Sequence, residues 1–406
     1  MILSRLTLPR FVASLCAIAA TWAQDVPDSS AAYTIQLDTV LRHDDGEWLW
    51  FHPRAAAMPG LGKDGGPAIL LTLQKHLQKS DFYSGLHVMR SDDLGVTWST
   101  PDPRPELAWQ DEGDGVTVAV CDVTPGWHAP SGKLLAVGIK VRYKEGAQLL
   151  DKPRSHDAAF TVYDPRADTW TPWRMIDTPE RDGKFYLVSP GCVQWLVKDG
   201  GDLLIPMYFR GPEDSPFAVT VLRCGFDGTA ISYIEHGDEL SLPVERGLVE
   251  PSLVLFKGKY YLTLRNDVKG YVTTSTDGLH FESIRAWTFD DGEDLGSYNT
   301  QQHWLSHGDE LYLVYTRRGA DNDHVFRHRA PLFMGKVDPE RLCVLRATER
   351  VLIPERGATL GNSGACAITP TESWVTVSEG IWNDDARKRG AQGDTYIARI
   401  RWASEE

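Results

Sequence analysis

The sequence predicts an all-β protein that folds as a single six-bladed β-propeller. Short runs rich in Val, Tyr, Leu and Trp recur along the chain and are separated by Asp-Gly, Lys-Gly or Pro turns, a pattern typical of β-strands joined by hairpins. Helical spacing of apolar residues is hard to find after the first 23 residues. The runs repeat as six units of roughly 50 to 65 residues, and small antiparallel sheets repeated around an axis form a propeller.

Each unit contains an apolar first strand, a polar hairpin, a second strand ending in a polar or charged residue, and a third strand that runs to the rim. In chain order, the first strands read WLWFHPRAAAMPG, VTVAVCDVTPGW, YLVSPGCVQWLV, LVEPSLVLF, TQQHWLSHG and NSGACAITP. The second strands read PAILLTLQKH, GKLLAVGIKVRYK, GGDLLIPMYFRG, GKYYLTLRND, DELYLVYTRRG and ESWVTVSEG. The third strands read GLHVMR, AAFTVYD, FAVTVLRCGF, GYVTTS, APLFMGKVD and TYIARIRW. No low-complexity linker divides the units, so we expect one domain over residues 24–406.

The first 23 residues have the pattern of a secretory signal peptide. Arginines precede an apolar run from Phe11 to Ala20, and small residues suited to cleavage follow, with Ala19 and Ala23 as the candidate sites. That run is too short to span a bilayer, and no later stretch approaches the roughly 20 apolar residues that a spanning helix needs. We therefore expect a secreted or periplasmic protein without a membrane span.

Charge and cysteine content exclude several classes of function. The formal net charge of −14 argues against nucleic acid as a partner, so an anionic substrate must be bound by a local basic cluster. Besides Cys16 in the signal segment, the five remaining cysteines have neither metal-binding spacing nor the pattern of a disulfide framework, and we expect most of them to be buried. The histidines also lack the spacing of zinc proteases. We predict no metal and no cofactor.

A tight turn with fixed residue types occurs in two units. Ser91 and Asp93 can bond neighbouring backbone N–H groups, Gly95 supplies a positive φ, and Trp98 packs the turn against its sheet. A copy that is one residue shorter, STDGLHF, begins at Ser275. This pattern resembles the Asp box, or BNR repeat, of the sialidase (neuraminidase) superfamily, whose enzymes are six-bladed propellers. The resemblance implies that these carboxylates lie on the rim away from the active site and are not catalytic.

The resemblance also implies active-site residues in the first and fourth units. Arg54 takes the place of the Arg in the family's Arg-Ile-Pro motif, and Asp81 lies in the loop where the family has its acid/base Asp. His76 is the alternative to Asp81. Glu250 on one strand and Arg265 on the next match the family's Glu and carboxylate-binding Arg in type and spacing, and they form the most specific of these matches.

In the fifth unit, Arg317 or Arg318 corresponds to the family's third arginine. Three guanidiniums that converge favour a ligand with a carboxylate, because each presents a planar pair of donors. The insert ADNDHVFRHR, which follows, places several basic residues near the same mouth, with His324 and Arg327 as further candidates for binding substrate.

The sixth unit departs from the family pattern. Glu379 fits the family's partner Glu, but the strand that carries the Tyr nucleophile in sialidases opens here with Asn362 and Ser363. Retaining sialidases use that Tyr instead of a carboxylate nucleophile. Tyr298, at the mouth of the fifth unit, can reach the site from another direction, and an inverting path with a carboxylate base is the simplest alternative.

These residues predict an exported, sialidase-like glycoside hydrolase that acts on terminal, acidic sugars of glycans. Asp81 is expected to protonate the leaving oxygen, while Glu250 and Glu379 orient the attacking group or activate water. Two alternatives stay open. One is a propeller polysaccharide lyase acting on uronate-containing glycans, which uses His or Tyr as the base and Arg to neutralise the uronate. The other is a non-catalytic glycan-binding propeller.

Overall fold

Six antiparallel sheets are arranged as blades around a central axis, which confirms the predicted all-β, six-bladed propeller. The computed structural model describes residues 32–77, 81–144, 148–149, 156–213 and 215–403. The expected signal segment lies outside the described residues. Within them there is one short α-helix, Asp384–Lys388, and the remaining helical turns are 3₁₀ segments at Lys63–Gly65, Pro105–Leu107, Ala129–Ser131, Phe326–His328 and Arg346–Thr348.

The first three blades follow the order of the sequence units. Blade 1 contains the strands Leu49–Met58, Ala68–His76 and His87–Ser91. Blade 2 contains Gln110–Gly113, Val116–His128, Lys133–Lys144, Gln148–Leu149, Asp157–Asp164, Thr169–Trp170 and Arg174–Met175. Blade 3 contains Leu187–Ser189, Leu196–Val197, Leu203–Arg210, Ala218–Phe226 and Ile231–His236.

The last three blades also match their units. Blade 4 contains the strands Val249–Phe256, Lys259–Arg265, Gly270–Ser275 and Arg285–Ala286. Blade 5 contains His303–His307, Glu310–Tyr315, Leu332–Asp338, Cys343–Val344 and Arg350–Ile353. Blade 6 contains Gly364–Thr369, Glu372–Ser378, Asp394–Trp402 and, as its outermost strand, Tyr33–Arg42.

The ring is closed by pairing the two ends of the chain. The strand Tyr33–Arg42 runs antiparallel to Asp394–Trp402, with Tyr33 opposite Trp402 and Arg42 opposite Asp394. The side chain of Arg42 also forms an ion pair with Asp394. The first described strand of the chain therefore completes the last blade, and blade 6 lies beside blade 1 in the ring.

Apolar side chains fill the spaces between neighbouring blades. Trp304 and Trp287 pack between blades 4 and 5, with ring centroids 5.7 Å apart, and Trp374 is fully buried between blades 6 and 1. Strands covered on both faces by neighbouring blades are nearly continuous in apolar residues, which explains why the sequence shows short unbroken apolar runs.

The two repeated turns lie at the end of their blades opposite to the start of the inner strands. In blade 1, Ser91 pairs with Ile69, next to Ala68, which pairs with the last residue of the inner strand, Met58. The Ser91 hydroxyl accepts from the backbone N–H of Gly95, and the carboxylate of Asp93 accepts from the backbone and hydroxyl of Thr97. Gly95 has φ of 75°, as the turn chemistry requires.

The copy in blade 4 is built in the same way and lies on the same face. The Ser275 hydroxyl accepts from the backbone of Gly278, and Asp277 accepts from the backbone N–H groups of Leu279 and His280. Both turns are therefore complete without a ligand, and their carboxylates are remote from the opposite face of the ring.

All five described cysteines are free thiols, and all but Cys366, which is partly exposed, are buried. No helix among the described residues is long and apolar enough to cross a bilayer.

Candidate functional site

A β-bulge recurs in the inner strands of blades 1, 2 and 4. The register shifts between Phe51 and Arg54 in blade 1, between Cys121 and Thr124 in blade 2, and between Val249 and Ser252 in blade 4. In each bulge two residues lie opposite one residue of the next strand, which re-aims the extra side chain.

The first residue of each bulge has a left-handed backbone. The φ angles are 53° at His52, 57° at Asp122 and 45° at Glu250, and Cys192 in blade 3 has φ of 59°. Positive φ is uncommon for residues other than Gly, and such strain concentrates at functional sites. We call the end of the axis where these four residues lie the axial mouth.

His52 and Asp122 are in direct contact across two blades. Nε2 of His52 lies 3.1 Å from Oδ1 of Asp122. Burial, reinforced by the charge of Arg54, holds the pKa of His52 well below its ordinary value, so the imidazole is neutral. Burial also raises the pKa of Asp122 to about 6, assisted by the negative charges of Glu250 and Asp81 and opposed by Arg54.

Cys192 completes this group. Its thiol is hydrogen-bonded to Asp122, and its backbone N–H donates to the carbonyl of Asp122 at 2.9 Å. Burial raises the pKa of the Cys192 thiol well above its ordinary value, with Arg54 opposing the shift. The thiol is therefore protonated and is not a nucleophile at neutral pH.

Glu250 and Arg265 form a buried ion pair on the opposite side of the mouth. Nη1 of Arg265 donates to Oε1 of Glu250, and its Nη2 lies 3.2 Å from both Asp267 and the amide oxygen of Asn299. Burial alone lowers the pKa of Arg265, but the charges of Glu250 and Asp267 outweigh it and raise the pKa above its ordinary value. This arginine is fixed as a cation.

Arg329 enters the mouth from the insert of blade 5. Its Nε and Nη2 donate to the backbone and side-chain oxygens of Asn299, so Asn299 holds both Arg329 and Arg265. A Cβ on Gly361 would lie 2.4 Å from Cδ of Arg329, so the guanidinium reaches the mouth across a position without a side chain. Burial, and then the charge of Arg265, lowers the pKa of Arg329 to about 9. Among the described residues, no carboxylate lies within ion-pair distance of it.

Tyr83 and Asp81 form the blade 1 side of the mouth. The Tyr83 ring lies 4.7 Å from the ring of His52. Burial, then the charges of Asp81 and Asp122, raise the pKa of Tyr83 well above its ordinary value. Tyr83 in turn influences the pKa of Arg329, so the phenol and the guanidinium lie near one another.

Arg54 lies beneath the mouth, at the top of an axial cavity of about 340 Å³. The side chain is 2% exposed, and its Nη1 donates to the carbonyl of Val123 at 3.3 Å. A Cβ on Gly364 of blade 6 would lie 2.7 Å from Cγ of Arg54, so this arginine also depends on a neighbouring glycine. Arg54 is thus part of the floor and is not open to a ligand in the mouth.

Arg317, Arg318 and Glu379 have other partners. Arg317 is bidentate to Glu349 of blade 5, and the guanidinium of Arg318 lies over the Tyr298 ring at 4.0 Å. The buried carboxylate of Glu379 accepts from Arg356, Tyr396 and two backbone N–H groups. Arg317, Arg318 and Glu379 are therefore engaged with these partners. The blade 5 arginine that lies beside Arg265 is Arg329.

The remaining predicted residues are Tyr298, His324 and Arg327, which lie in the segments around blade 5, and His76, which ends a strand of blade 1. Tyr298 donates to or accepts from Nδ1 of His328 at 2.5 Å, and Nε2 of His328 lies 3.2 Å from Asp323. His324 pairs with Glu355 at 3.0 Å, and Arg327 is exposed. His76 is buried and stacks on Phe51, with centroids 4.6 Å apart.

Sequence reasoning did not single out His52, Asp122 or Tyr83. A signal existed for the first two, because each lies two residues before an equivalent position of an inner strand, Arg54 in blade 1 and Thr124 in blade 2. A bulge has no reliable sequence signature without Gly, so only the register revealed which side chain turns to the axis.

His52, Asp122 and Cys192 are also residue types that bind transition metals. Their donor atoms all lie within 4.8 Å of one another, an arrangement that sequence spacing did not predict. The guanidinium of Arg54 influences the pKa of all three, and its positive charge opposes a cation at this position. The arrangement suits a proton-transfer group better than a metal centre.

The fold is similar to solved structures of sialidases. A protein of unknown function from Dyadobacter fermentans has a TM-score of 0.60 and 14% identity, with 90% of this chain and 99% of that chain covered. The NanB sialidase from Streptococcus pneumoniae has a TM-score of 0.58 and 14% identity, covering 91% of this chain and 70% of that one. A Trypanosoma rangeli sialidase in complex with sialic acid has a TM-score of 0.55 and 12% identity, and this chain, 90% covered, spans 58% of it.

No family model and no curated protein matches the sequence. The structural matches confirm a propeller fold of the sialidase type.

Proposed function

We propose that the protein is a glycoside hydrolase that removes a terminal sugar carrying an anionic group, and that it acts outside the cytoplasm. The observation that carries the proposal is the axial mouth itself. It brings a carboxyl with a pKa of about 6, Asp122, together with further carboxylates and with Arg329, a partly exposed arginine without a carboxylate partner among the described residues. Most glycoside hydrolases use paired carboxyl groups of different protonation.

Asp122 is the proton donor in this proposal. A general acid is most effective when its pKa lies near the operating pH, and a pKa of about 6 meets that requirement. Its side chain is partly open to the mouth, and the neutral His52 fixes its orientation through the 3.1 Å contact. The proton passes from Asp122 to the leaving oxygen as the glycosidic bond breaks.

Asp81 is the carboxylate that stabilises positive charge on the sugar or activates water. It lies on the same side of the mouth as Tyr83, and its charge acts on both Tyr83 and Asp122. Asp81 and Asp122 thereby divide the base and acid roles. Glu250 holds Arg265 in place, since one of its oxygens accepts directly from that guanidinium.

Arg329 and Arg265 bind the anionic group of the sugar. Asn299 places the two guanidiniums side by side, and charge-assisted hydrogen bonds from arginine to a carboxylate are stronger than neutral ones. Burial, and then the charge of Arg265, lowers the pKa of Arg329, and a bound anion offsets the repulsion between the two guanidiniums. An acidic sugar is therefore preferred over a neutral one.

The test is turnover of defined substrates. The secreted form would be incubated with α-sialosides, aryl uronosides and sulfated oligosaccharides, each beside its neutral analogue, and released reducing sugar would be measured. Release from one acidic class, reduced by at least about 10²-fold in Asp122→Asn, supports the proposal. Release from neutral analogues alone, or equal release by Asp122→Asn, contradicts it.

A uronate lyase is the second candidate, and the contact between His52 and Tyr83 favours it. Both side chains are neutral at pH 7, and their rings lie 4.7 Å apart beside Arg329. A neutral imidazole can remove the proton next to a uronate carboxylate whose charge is held by an arginine. Elimination produces an unsaturated uronate that absorbs in the ultraviolet, whereas hydrolysis does not, so one absorbance trace distinguishes the two reactions.

A further inference from the structure

We propose that the axial cavity below the mouth binds a halide-sized monovalent anion, held by the guanidinium of Arg54 and the hydroxyl of Thr124. The cavity lies on the axis and is bordered by the inner strands of all six blades. Its volume of about 340 Å³ far exceeds the roughly 10–15 Å³ that a single water requires, so it has space for an ion together with water.

Two residues that line this cavity carry buried donors without a partner. Nε and Nη2 of Arg54 are buried and lack hydrogen-bond partners among the described residues, and so does Oγ1 of Thr124. Arg54 and Thr124 both follow the bulge of their inner strands, in adjacent blades, and both line the cavity. A buried donor without a partner is destabilising, and an ionised one is more so.

Two other polar side chains that line the cavity, Gln194 and His303, are already engaged. Gln194 crosses the axis from blade 3 and bonds the backbone of Trp304 and Ala365. His303 contacts the Ser252 hydroxyl and the Ser363 carbonyl through its two ring nitrogens. Among the described lining residues, Arg54 and Thr124 are the ones with buried side-chain donors that lack a partner.

The cavity beside Arg54 lacks a negatively charged side chain among its described lining residues. The described residues that line the cavity include no Asp or Glu, and no carboxylate of the described chain lies within ion-pair distance of Arg54. Burial, with the charge of Arg54 as a second cause, lowers the pKa of His303 to about 3, so that ring is neutral. The cavity wall is made apolar by Trp127, Trp195 and Trp304. A cation without a counter-charge is costly in such surroundings.

The titratable groups affected by Arg54 are His52, Asp122, Cys192 and His303. Of these, only Asp122 is negatively charged near neutral pH, and it lies on the mouth side of Arg54. Below about pH 6 Asp122 takes up a proton, and Arg54 then loses that distant counter-charge. Anion affinity should therefore rise as the pH falls from 7 to 5.

Bromide is the probe. Crystals of the full-length protein soaked in sodium bromide are expected to show an anomalous peak within hydrogen-bond distance of Arg54, and ³⁵Cl NMR line broadening by the protein in solution should be reversed by bromide. Water alone at Arg54 in bromide-soaked crystals would overturn the proposal. Neither measurement requires turnover, so failure here is distinct from failure of the proposed function.

Three variants sharpen the experiment. Arg54→Gln is expected to abolish the peak and the line broadening, Thr124→Val to weaken bromide binding several-fold, and Asp122→Asn to strengthen it at pH 7. The matched control replaces Arg401, an exposed arginine of blade 6 that pairs with Glu372, and the Arg401→Gln variant should bind bromide as the wild type does. Should Arg54→Gln not fold, Thr124→Val and the wild-type pH series decide: unchanged affinity in both would overturn the proposal.

Discussion

Nε2 of His52 lies 3.1 Å from Oδ1 of Asp122, and this contact joins the inner strands of blades 1 and 2. Both residues have positive φ, and each is the first residue of the same kind of bulge. Because the imidazole is neutral and the carboxyl has a raised pKa, one proton is shared within a neutral pair at mildly acidic pH. Several measurements follow from this pair and from the arginines that face it.

The rate of glycoside cleavage should fall as the pH rises through about 6. Protonated Asp122 is the active form of the acid, and its fraction decreases above its pKa of about 6. A pH profile of kcat/KM should therefore show an alkaline limb near that value. In Asp122→Asn the limb should disappear and kcat should drop by about 10²–10⁴-fold. A limb that persists unchanged in the variant would assign it to another group.

Asp122→Asn should also change how stability depends on pH. The pKa of Asp122 rises from about 4 in the unfolded chain to about 6 in the folded protein, so the folded state holds the proton more tightly. Wild-type stability from this group is complete below about pH 4 and declines as the pH rises to about 6. Asparagine does not ionise, so the variant does not lose this stability as the pH rises. Denaturant unfolding at pH 5 and pH 7 should show the variant gaining stability relative to wild type at the higher pH, and the reverse trend would contradict the raised pKa.

Arg329→Met should weaken binding of acidic substrates more than it slows chemistry. Hydrogen bonds to charged groups contribute about 1.5–3 kcal/mol, which corresponds to roughly 10–100-fold in kcat/KM. We expect most of this loss in kcat/KM to come from a rise in KM. Arg318→Met removes a neighbouring arginine that lies over Tyr298 instead and serves as the matched control. Equal losses in both variants would argue against a specific role for Arg329.

Gly361→Ala tests the same arginine without removing its charge. The added Cβ would lie 2.4 Å from Cδ of Arg329 and 3.0 Å from Oγ1 of Thr300, so the guanidinium must shift. We expect a higher KM for acidic substrates with the fold retained, as judged by circular dichroism. Kinetics identical to wild type would indicate that the position of Arg329 does not limit binding.

The turn at Asp277 should affect stability and not activity. Partial burial opposes ionisation, but hydrogen bonds from His280, Leu279 and Ser275 together hold the pKa of Asp277 below its ordinary value. Its contribution is present above about pH 4 and is lost as the pH falls further. Asp277→Ala should lower the free energy of unfolding by about 1 kcal/mol, since the carboxylate is nearly half exposed. A loss of kcat larger than the loss of folded protein would place this face in the chemistry.

The fold was predictable from sequence because its signals are local. The turn at Ser91 and its copy at Ser275 depend on side chains within a few residues of one another, and the inter-blade cores leave continuous apolar runs. The pairing of Glu250 with Arg265 was also accessible, because both residues lie on adjacent strands of one hairpin.

The rest of the site depends on relations between blades. Whether Arg317 or Arg329 reaches the mouth is decided by the path of the blade 5 insert and by the absence of a side chain at Gly361. Whether His52 or Arg54 faces the mouth is decided by the bulge, because an extra residue re-aims the side chains of the strand. Neither cause can be recognised from residue types in one blade.

The pairing of Tyr33–Arg42 with Asp394–Trp402 also sets the order of assembly. During synthesis the strand Tyr33–Arg42 is made before its partner Asp394–Trp402, so it must wait for that partner before the ring can close. His52 and Asp122 are translated early, but the glycines that make room for Arg54 and Arg329 belong to the segment that begins blade 6. The surroundings of Arg54 and Arg329 are therefore complete only when blade 6 takes its place beside blade 1.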